Sequence, residues 1–302
     1  MDDAAVDQLR AQFGAANVVY DAAFVDKPEQ LLAAAADCDA LIVRNRTQVR
    51  GELLEALAKA RVVGRLGVGL DNIDVAACEA RNLKVIPATG ANALAVAEYV
   101  IGTAMMLRRA SYLSTAAVAA GKWPRAALSN GRETAGSTLG LIGFGSIGQL
   151  TAQLARAVGM TVIAYDPVIT DSNPAWMDTG AIRMALDDVI RDSDVLSLHV
   201  PLVDSTKNLM NAERIATMKN GAILINTARG GIVDDAALAA ALRSGHLGGA
   251  AIDVFTQEPL PASDVFAGCP NLVLTPHIAG VSAEANVRVS SMIADAVIRE
   301  LV

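Results

Sequence analysis

The chain has 302 residues, of which 53% are hydrophobic and 19% charged, and its formal net charge is −7. This length predicts about two domains, and so apolar a composition excludes a disordered chain. Because the chain is acidic and lacks basic runs, a nucleic-acid partner and an anionic membrane surface are not expected.

Cysteine usage and hydropathy indicate a soluble cytoplasmic protein. Cys38, Cys78 and Cys269 are odd in number and form no CxxC pair, which predicts reduced thiols and no disulfide framework or metal site. The opening MDDAAVDQLR does not have the pattern of a signal peptide. The uncharged stretch 135–155 is long enough to span a membrane, but its five glycines favour a strand, a turn and a helix start.

The first part of the chain begins in a helical pattern and then alternates short apolar runs with helices. Strands are predicted at residues 18–20, 40–43, 62–65 and 84–86, and helices at 29–36, 51–60 and 75–80. A long helix is expected over 92–120, followed by an irregular segment that carries Trp123. Because an α/β unit of this kind normally opens with a strand, a few N-terminal residues are expected to be missing.

The second part repeats the alternation with more strands. These are predicted at residues 138–142, 161–165, 195–198, 222–225, 249–252 and 272–274, with helices at 147–158, 186–191, 212–218 and 234–243 and a last helix at 282–301. Continuous apolar strands that alternate with helices indicate a parallel sheet covered on both faces. The fold class is therefore α/β, with doubly wound, Rossmann-like sheets.

A glycine-rich turn follows the strand at 138–142. Gly143, Gly145 and Gly148 have the spacing GxGxxG and open a helix, a pattern typical of pyrophosphate binding at a helix N-terminus. Asp166 ends the next strand, 18 residues after Gly148, and no Arg or Lys occurs at 167–170. A carboxylate there binds ribose hydroxyls and repels a 2′-phosphate, so NAD is predicted and NADP is not. A purely structural glycine turn is the alternative.

Three other strands are each followed by a charged or ionisable side chain: Arg229, Glu258 and His277. Taken singly, Arg229 is explained as a solvated loop cation, Glu258 as a loop charge and His277 as a core imidazole. Because ligands bind outside the carboxyl ends of parallel strands, the three side chains can converge. Together they supply what carbonyl reduction needs: a cation for a carboxylate, an imidazole for the proton and a carboxylate that orients the imidazole.

Six stretches carry a family resemblance: LIVRNRT at 41–47, VVGRLGVGLDNIDV at 62–75, TLGLIGFGSIG at 138–148, HVPL at 199–202, NTARGGIVD at 226–234 and TPHIAG at 275–280. In these the chain resembles the D-isomer-specific 2-hydroxyacid dehydrogenases, and most of all their 3-phosphoglycerate dehydrogenase type in a short form without the regulatory domain. Without that module, allosteric serine feedback is not expected.

The resemblance implies hydride transfer between NAD and C2 of a D-2-hydroxy acid or 2-oxo acid. His277 is the implied acid–base residue, Glu258 its partner, and Arg229 with N–H groups of the loop 66–69 the implied carboxylate site. Glutamate at 258, where the formate dehydrogenase branch has glutamine, disfavours formate oxidation.

The resemblance also divides the chain. It implies a flavodoxin-like substrate-binding domain, residues 1–91 plus 275–302, and an NAD-binding Rossmann domain, residues 92–274, with a cleft between them that closes on ligand. The helix after Asn92 and the Trp123 loop are similar to the family's dimer arm, which implies a homodimer. The implied cofactor-binding residues are Gly143, Gly145, Ser146, Ile147, Gly148, Asp166, His199, Val200, Pro201, Thr206, Thr227, Ala228, Asp253 and Gly280.

The substrate is expected to be a small anionic acid. By resemblance, Arg44, Arg65 and (from the partner subunit) Arg125 bind a phosphate on the third carbon, and Arg46 adds a charge nearby. Clustered cations need an anion, but arginines on a solvated rim are the alternative. The other implied substrate-binding residues are Leu66, Gly67, Val68 and Asn92.

Several functions remain open at this point. Phosphate and sulfonate are both compatible, so 3-phosphoglycerate and 3-sulfolactate are alternatives, and a glyoxylate or hydroxypyruvate reductase is another. A binding protein that senses NAD, similar to a corepressor, is the alternative outside enzymes. His199 is interpreted as lying beside the cofactor and His246 as a surface turn residue, and the scattered histidines predict no metal site. No GxSxG motif supports a hydrolase.

Overall fold

A computed structural model of the chain describes residues 1–262 and 264–302, except for the side chains of Ser111 and Leu113. The chain folds into two compact units, which are described separately. The smaller comprises Met1–Asn92 and Val281–Val302, and the larger comprises Ala93–Gly280. The segment 275–280, which carries His277, is part of the larger unit.

The smaller unit is a short parallel sheet between two layers of helices. Its elements are α1 (Asp3–Phe13), α2 (Pro28–Ala35), β1 (Ala40–Val43), α3 (Gly51–Ala56), β2 (Val62–Arg65), α4 (Val75–Ala80), β3 (Lys84–Pro87) and α12 (Ala283–Leu301), with 3-10 turns at Ala15–Asn17 and Phe24–Asp26. The strands are parallel in the order β1-β2-β3. Apolar side chains of α1 and α12 pack on one face, and those of α2, α3 and α4 on the other.

The larger unit contains a seven-stranded parallel sheet. Its strands are β4 (Thr138–Ile142), β5 (Thr161–Tyr165), β6 (Ile182–Arg183), β7 (Val195–Leu198), β8 (Ala222–Asn226), β9 (Leu247–Ile252) and β10 (Leu272–Leu274). Its helices are α5 (Ala93–Arg109), α6 (Thr115–Ala119), α7 (Ser146–Ala157), α8 (Ala175–Thr179), α9 (Leu186–Asp192), α10 (Ala212–Thr217) and α11 (Asp235–Ser244), with a 3-10 turn at Ser111–Ser114.

The strand order of the larger sheet is β10-β9-β8-β7-β4-β5-β6, and every pair is parallel. The order reverses beside β4, because β5 lies on one side of it and β7 on the other. The chain therefore leaves the carboxyl ends of β4 and β7 in opposite directions, which is the place where doubly wound sheets bind their ligands. Buried side chains cover both faces. The α/β fold class predicted from the sequence is confirmed.

Two local predictions were wrong, and one strand was not predicted. Residues 18–20 are not a strand, because no described strand pairs with them. The helix expected over 92–120 ends at Arg109, since Ala110 takes the left-handed conformation with φ 52° and a 3-10 turn follows. Strand β6 was not predicted, because both of its residues are exposed. Within the described residues, no helix is long and apolar enough to cross a membrane.

Candidate active site

The glycine-rich turn lies where the strand order of the larger sheet reverses. Gly143 has φ +96°, and a Cβ atom there would lie 2.4 Å from the His199 carbonyl oxygen. A Cβ atom at Gly148 would likewise lie 2.4 Å from the Gly143 oxygen. At Gly145, by contrast, a Cβ atom would meet nothing within 4 Å. The first and third glycines are therefore required by the turn itself, and the second leaves open space above it.

This space has the features of an anion site. Helix α7 begins at Ser146 and has no side-chain cap, and its first backbone hydrogen bond within the turn runs from Gln149 N to Gly145 O. The N–H groups of Ser146 and Ile147 therefore point out of the helix N-terminus, where the dipole favours negative charge. These residues fit a dinucleotide pyrophosphate.

Asp166 lies at the end of β5 and is hydrogen-bonded to the same turn. Its Oδ2 accepts from Phe144 N at 2.8 Å, while Oδ1 accepts from Val168 N at 2.8 Å and Ile169 N at 3.1 Å. The carboxylate is thus fixed by three N–H groups beside the glycine turn. An ionised carboxylate has about four acceptor positions, so one is left for a ribose hydroxyl.

The loop after β7 supports the same place through its backbone. His199 N donates to Ile142 O at 2.7 Å, and its Nε2 lies 3.0 Å from Ser197 Oγ. Burial lowers the pKa of the His199 imidazole to about 4, so the ring is neutral. The Thr206 hydroxyl accepts from Val203 N at 2.8 Å and donates to Pro201 O at 2.6 Å. His199, Pro201 and Thr206 therefore build this loop, which also contains Val200, mainly by internal hydrogen bonds.

The loop that carries Arg229 is fixed by the last residue of β8. Asn226 Oδ1 accepts from Ala228 N at 3.0 Å, and its Nδ2 donates to Arg229 O at 2.9 Å. Arg229 is half-buried, and its Nη1 donates to Ala228 O at 2.6 Å. The Thr227 Oγ1 atom is buried and has no hydrogen-bond partner among the described residues. Such an orphaned hydroxyl fits a site that is completed by a ligand.

Gly230 brings two loops of the site into contact. A Cβ atom at this position would lie 1.9 Å from the Phe255 carbonyl carbon and 2.3 Å from Thr256 N. The backbone after Arg229 therefore lies directly against the backbone that leads to Glu258, and only glycine permits that approach.

Glu258 and His277 form a pair. His277 Nδ1 lies 2.7 Å from Glu258 Oε2, and the other carboxylate oxygen accepts from Phe255 N at 3.0 Å. The side chains are 40% and 33% exposed, for His277 and Glu258 respectively, so the pair is accessible from solvent. Because Nδ1 faces the carboxylate, the imidazole is oriented with Nε2 available for proton exchange.

Asp253 fixes the loop that carries His277 by hydrogen bonds. Its carboxylate, 1% exposed, accepts from Thr275 Oγ1 at 2.6 Å, Ile278 N at 2.8 Å and Ala279 N at 2.9 Å. Its carbonyl accepts from His277 N at 2.8 Å. His277 has φ +57°, a left-handed conformation that is uncommon outside glycine, so these bonds hold a strained residue in place.

The hydrogen bonds around Asp253 extend to Tyr99 on α5, a residue that was not predicted from the sequence. The Tyr99 hydroxyl lies 2.7 Å from Thr275 Oγ1. Because an ionised Asp253 can only accept, Thr275 donates to it, and Tyr99 must then donate to Thr275. Burial raises the pKa of Tyr99. A phenol among the buried residues of α5 is the one signal of this role in the sequence.

In the smaller unit, the predicted arginines have different partners. Arg44, at the end of β1, contacts Asn286 Oδ1 on α12 through its Nη2. Arg46 forms an ion pair with Asp26. Arg65 folds back over Gly67, and its Nη1 donates to Leu66 O at 2.9 Å. Gly67 has φ +150°, which favours glycine, and a Cβ atom there would displace this guanidinium, which lies 1.5 Å from its position.

The loop 66–69 offers fewer N–H groups than expected. Leu66 N donates to Val43 O at 2.8 Å and Gly67 N to Arg65 O at 2.8 Å. The expectation that N–H groups of the loop 66–69 bind the substrate carboxylate therefore falls to the other two residues of the loop and stays a prediction. Within the described backbone, Val68 and Gly69 are the loop residues whose N–H groups have no backbone acceptor.

The remaining predicted residues fall in three places. Asn92 ends the smaller unit's main segment, and its buried Oδ1 has no partner among the described residues. Arg125 is exposed in the irregular segment of the larger unit, close to Trp123, which is 77% exposed. His246 is a turn residue, as expected, and its Nε2 lies 3.0 Å from Ile215 O. No group of side chains in the described part of the chain could hold a metal ion.

Comparison with known proteins defines the class. Residues 101–279 match the family model of the D-isomer specific 2-hydroxyacid dehydrogenase, NAD binding domain. The chain is 52% identical over its whole length to (S)-sulfolactate dehydrogenase of Chromohalobacter salexigens, with 96% of that protein covered. It is 40% identical over 90% of its length to hydroxypyruvate reductase of Thermotoga maritima, with 88% of that protein covered.

A third relative has a longer chain. D-3-phosphoglycerate dehydrogenase of Mycobacterium leprae is 40% identical over 91% of this chain, but the match covers 52% of that protein. The chain therefore belongs to the D-isomer-specific 2-hydroxyacid dehydrogenases. It is an NAD-dependent oxidoreductase of 2-hydroxy acids, and the family, enzyme class and cofactor predicted from the sequence are confirmed.

Proposed function

We propose that this enzyme interconverts 3-sulfopyruvate and the D-configured 3-sulfolactate, and that Arg229, Glu258 and His277 carry out the chemistry. The observation that carries the catalytic assignment is the 2.7 Å contact between His277 Nδ1 and Glu258 Oε2, in a loop that Asp253 fixes. It gives the imidazole one orientation and leaves Nε2 as the atom that exchanges a proton.

In the direction of reduction, bound NADH supplies a hydride to C2 of the 2-oxo acid. His277 Nε2–H donates a proton to the carbonyl oxygen, so that oxidised cofactor and a 2-hydroxy acid result. Glu258 accepts from Nδ1–H throughout and stabilises the imidazolium before the transfer. Arg229 binds the C1 carboxylate with charge-assisted hydrogen bonds.

The two units are assigned different ligands. We propose that the larger unit binds NAD through the turn at Gly143–Gly148, Asp166 and the loop after β7, and that the smaller unit binds the substrate's distal anion through Arg44 and Arg65. The NAD-binding family match lies within the larger unit, which supports this assignment.

A sulfonate suits the charges of the smaller unit better than a phosphate. A sulfonate carries a single negative charge, whereas a phosphate monoester carries about −1.5 to −2 at pH 7. Arg46 is paired with Asp26, so it contributes less positive charge than the sequence suggested. The full-length relative at 52% identity acts on sulfolactate by name, which favours the same substrate here.

The (S) descriptor of that relative agrees with D-isomer specificity. In sulfolactate the sulfur-bearing carbon outranks the carboxyl group, whereas in glycerate and lactate the carboxyl group ranks higher. An (S)-sulfolactate therefore has the same spatial arrangement at C2 as D-glycerate. One arrangement of hydride donor and His277 serves both.

The assay that tests this proposal compares kcat/KM with NADH for 3-sulfopyruvate, 3-phosphohydroxypyruvate, hydroxypyruvate and glyoxylate. We expect the sulfonate to give the highest value. A higher value for the phosphate would make the enzyme a phosphoglycerate dehydrogenase, and equal values for the uncharged tails would make it a hydroxypyruvate or glyoxylate reductase. His277→Ala is expected to abolish turnover while NADH binding persists, and near-normal turnover would refute the acid–base assignment.

We further propose that the enzyme is a cytoplasmic homodimer. Three large apolar side chains, Tyr112, Val118 and Trp123, are 65%, 43% and 77% exposed around the end of α5, which suits contact with a second copy. Cys38, Cys78 and Cys269 are all free thiols, as a reducing compartment permits. Light scattering of the wild type and of Trp123→Ser would test the assembly, since we expect a dimer that the substitution weakens.

A further inference from the structure

Arg44 and Arg46, both in the smaller unit, differ in whether their charge is compensated. Arg46 has both terminal nitrogens at the Asp26 carboxylate, one of them at 3.4 Å. Arg44 instead contacts the side-chain oxygen of Asn286, a neutral group. Within the part of the chain that the structure describes, no carboxylate lies within salt-bridge distance of Arg44. Its position is therefore fixed while its charge is kept.

The main chain of Arg44 is held as firmly as its guanidinium. Asn72, which is 5% exposed, donates from Nδ2 to Arg44 O at 2.9 Å and to Thr47 O at 2.6 Å. Its own carbonyl accepts from Val49 N at 2.8 Å. The loop after β1 is thus hydrogen-bonded along its length, so the stem of the Arg44 side chain starts from a fixed point.

The helix that carries Asn286 is anchored too. Ser282 caps α12 by accepting from Ala285 N at 3.0 Å, and Arg288 Nε donates to Ala91 O at 2.9 Å. Asn286 lies in the first turns of this 19-residue helix, between these two anchors. A guanidinium held at both ends by anchored elements loses little side-chain freedom when it binds a ligand.

The positive charge of Arg44 affects a neighbouring ionisable group, the Met1 amino group. Burial lowers the pKa of the Met1 amino group, and Arg44 lowers it further, against the opposing effect of Asp2 and Asp3. A guanidinium offers five N–H donors, and the amide oxygen of Asn286 occupies Nη2. Donors are therefore left for an anion.

We propose that Asn286 determines the preference for an anionic tail, because it positions Arg44 without neutralising it. A carboxylate at this place would give the same geometry and cancel the charge, as Asp26 does for Arg46. Asn286 is thus a positioning residue, and its role rests on the proposed function, in which Arg44 binds the distal sulfonate.

The test is Asn286→Asp, which replaces an amide nitrogen by oxygen and changes little in shape. An acid in the first turns of a helix is favourable, so the variant is expected to fold. The measured quantity is the ratio of kcat/KM for 3-sulfopyruvate to kcat/KM for hydroxypyruvate, with NADH. We expect this ratio to fall about tenfold through KM for 3-sulfopyruvate, as for a charged hydrogen bond lost at a partly exposed site. The kcat values and the KM for NADH should stay within about twofold.

Two further variants make the result specific. Asp26→Asn makes the reverse exchange beside Arg46, and because it removes a negative charge, we expect it not to lower the ratio. Asn286→Ser removes the contact without adding charge, and we expect a smaller fall of about threefold. If Asn286→Asp leaves the ratio within twofold of the wild type, or lowers kcat/KM equally for both substrates, the inference is wrong.

Arg44→Gln separates this inference from the proposed function. If Arg44→Gln lowers the ratio and Asn286→Asp does not, the distal-anion site stands and the role of Asn286 is overturned. If Arg44→Gln also leaves the ratio unchanged, Arg44 does not bind the tail, and both this inference and the proposed role of Arg44 in the distal-anion site fall.

Discussion

Replacing Asp253 by asparagine should damage the site more than its small change in shape suggests. The native carboxylate accepts from Thr275 Oγ1, Ile278 N and Ala279 N, and it is buried. An asparagine has one acceptor oxygen. If the amide nitrogen replaces Oδ2, it faces Ala279 N–H. If it replaces Oδ1, it faces Ile278 N–H, and Thr275 can adapt only by turning its hydroxyl to accept. Either way, one backbone N–H loses its partner.

The magnitude follows from that count. A buried donor left without a partner costs about 1–3 kcal/mol, and the remaining bonds lose the strength that the charge gave them. We therefore expect Asp253→Asn to lower the free energy of unfolding by about 2–4 kcal/mol. Because these bonds hold His277 at φ +57°, kcat should fall as well. The fall is about tenfold for each 1.4 kcal/mol by which the activation free energy rises.

Chemical denaturation and steady-state kinetics measure the two effects. The control is Asp194→Asn, since Asp194 Oδ2 accepts from Thr138 N at 2.8 Å at the amino end of β4, the opposite edge of the sheet. We expect it to lower stability modestly and leave kcat unchanged. An Asp253→Asn enzyme with wild-type stability and kcat would refute the assignment of Asp253 as the anchor of His277.

Three other predictions concern the larger unit. Gly145→Ala should raise the KM for NADH about tenfold with an unchanged melting temperature, because its Cβ atom enters only the open space. Gly143→Ala should prevent folding, because its Cβ atom would meet backbone. The same KM and the same melting temperature for the two variants would contradict this. Burial keeps the His199 imidazole neutral with a pKa of about 4, so the native state should lose stability as pH falls from about 6.5 to 4, by up to about 1.4 kcal/mol per pH unit. His199→Gln should remove that part of the slope in denaturation curves, and an unchanged slope would show that the ring is protonated in the fold. Tyr99→Phe should lower kcat about threefold at unchanged KM for NADH, and it should add nothing in a Thr275→Val background; additive effects would separate the two residues.

The sequence predicted best what depends on local pattern. Strands β4, β5, β7 and β10 have the bounds that the sequence predicts. For β4, β5 and β7 the reason is that a parallel strand covered on both faces is mostly apolar, whereas β10 is a partly exposed edge strand. The predicted juxtaposition of the glycine turn and Asp166 is also seen, since their spacing is set by one strand–helix–strand unit. Glu258 and His277 lie in contact, and the backbone after Arg229 lies against the loop of Glu258, as expected for residues that each follow a strand of one sheet.

What the sequence could not supply depends on partners far apart in the chain. Tyr99 and Thr275 are 176 positions apart, and Arg44 and Asn286 are 242 apart, so no local pattern links either pair. The pairing of Arg46 with Asp26 was missed for the same kind of reason, because only the folded loop brings that carboxylate to the guanidinium. Residues 18–20 have a strand-like composition, yet a strand also needs a neighbour.

The contact at Gly230 has a consequence for exchanging parts between relatives. Because the main chain after Arg229 lies directly on the main chain at Phe255 and Thr256, the spacing of these two loops is set by backbone thickness and not by any side chain. A segment that carries Arg229 can therefore be exchanged without the segment that carries Glu258, provided that glycine stays at position 230. In a library of recombined dehydrogenases, crossover points between these two segments should be tolerated, whereas clones that lose the glycine at 230 should be depleted among the active ones.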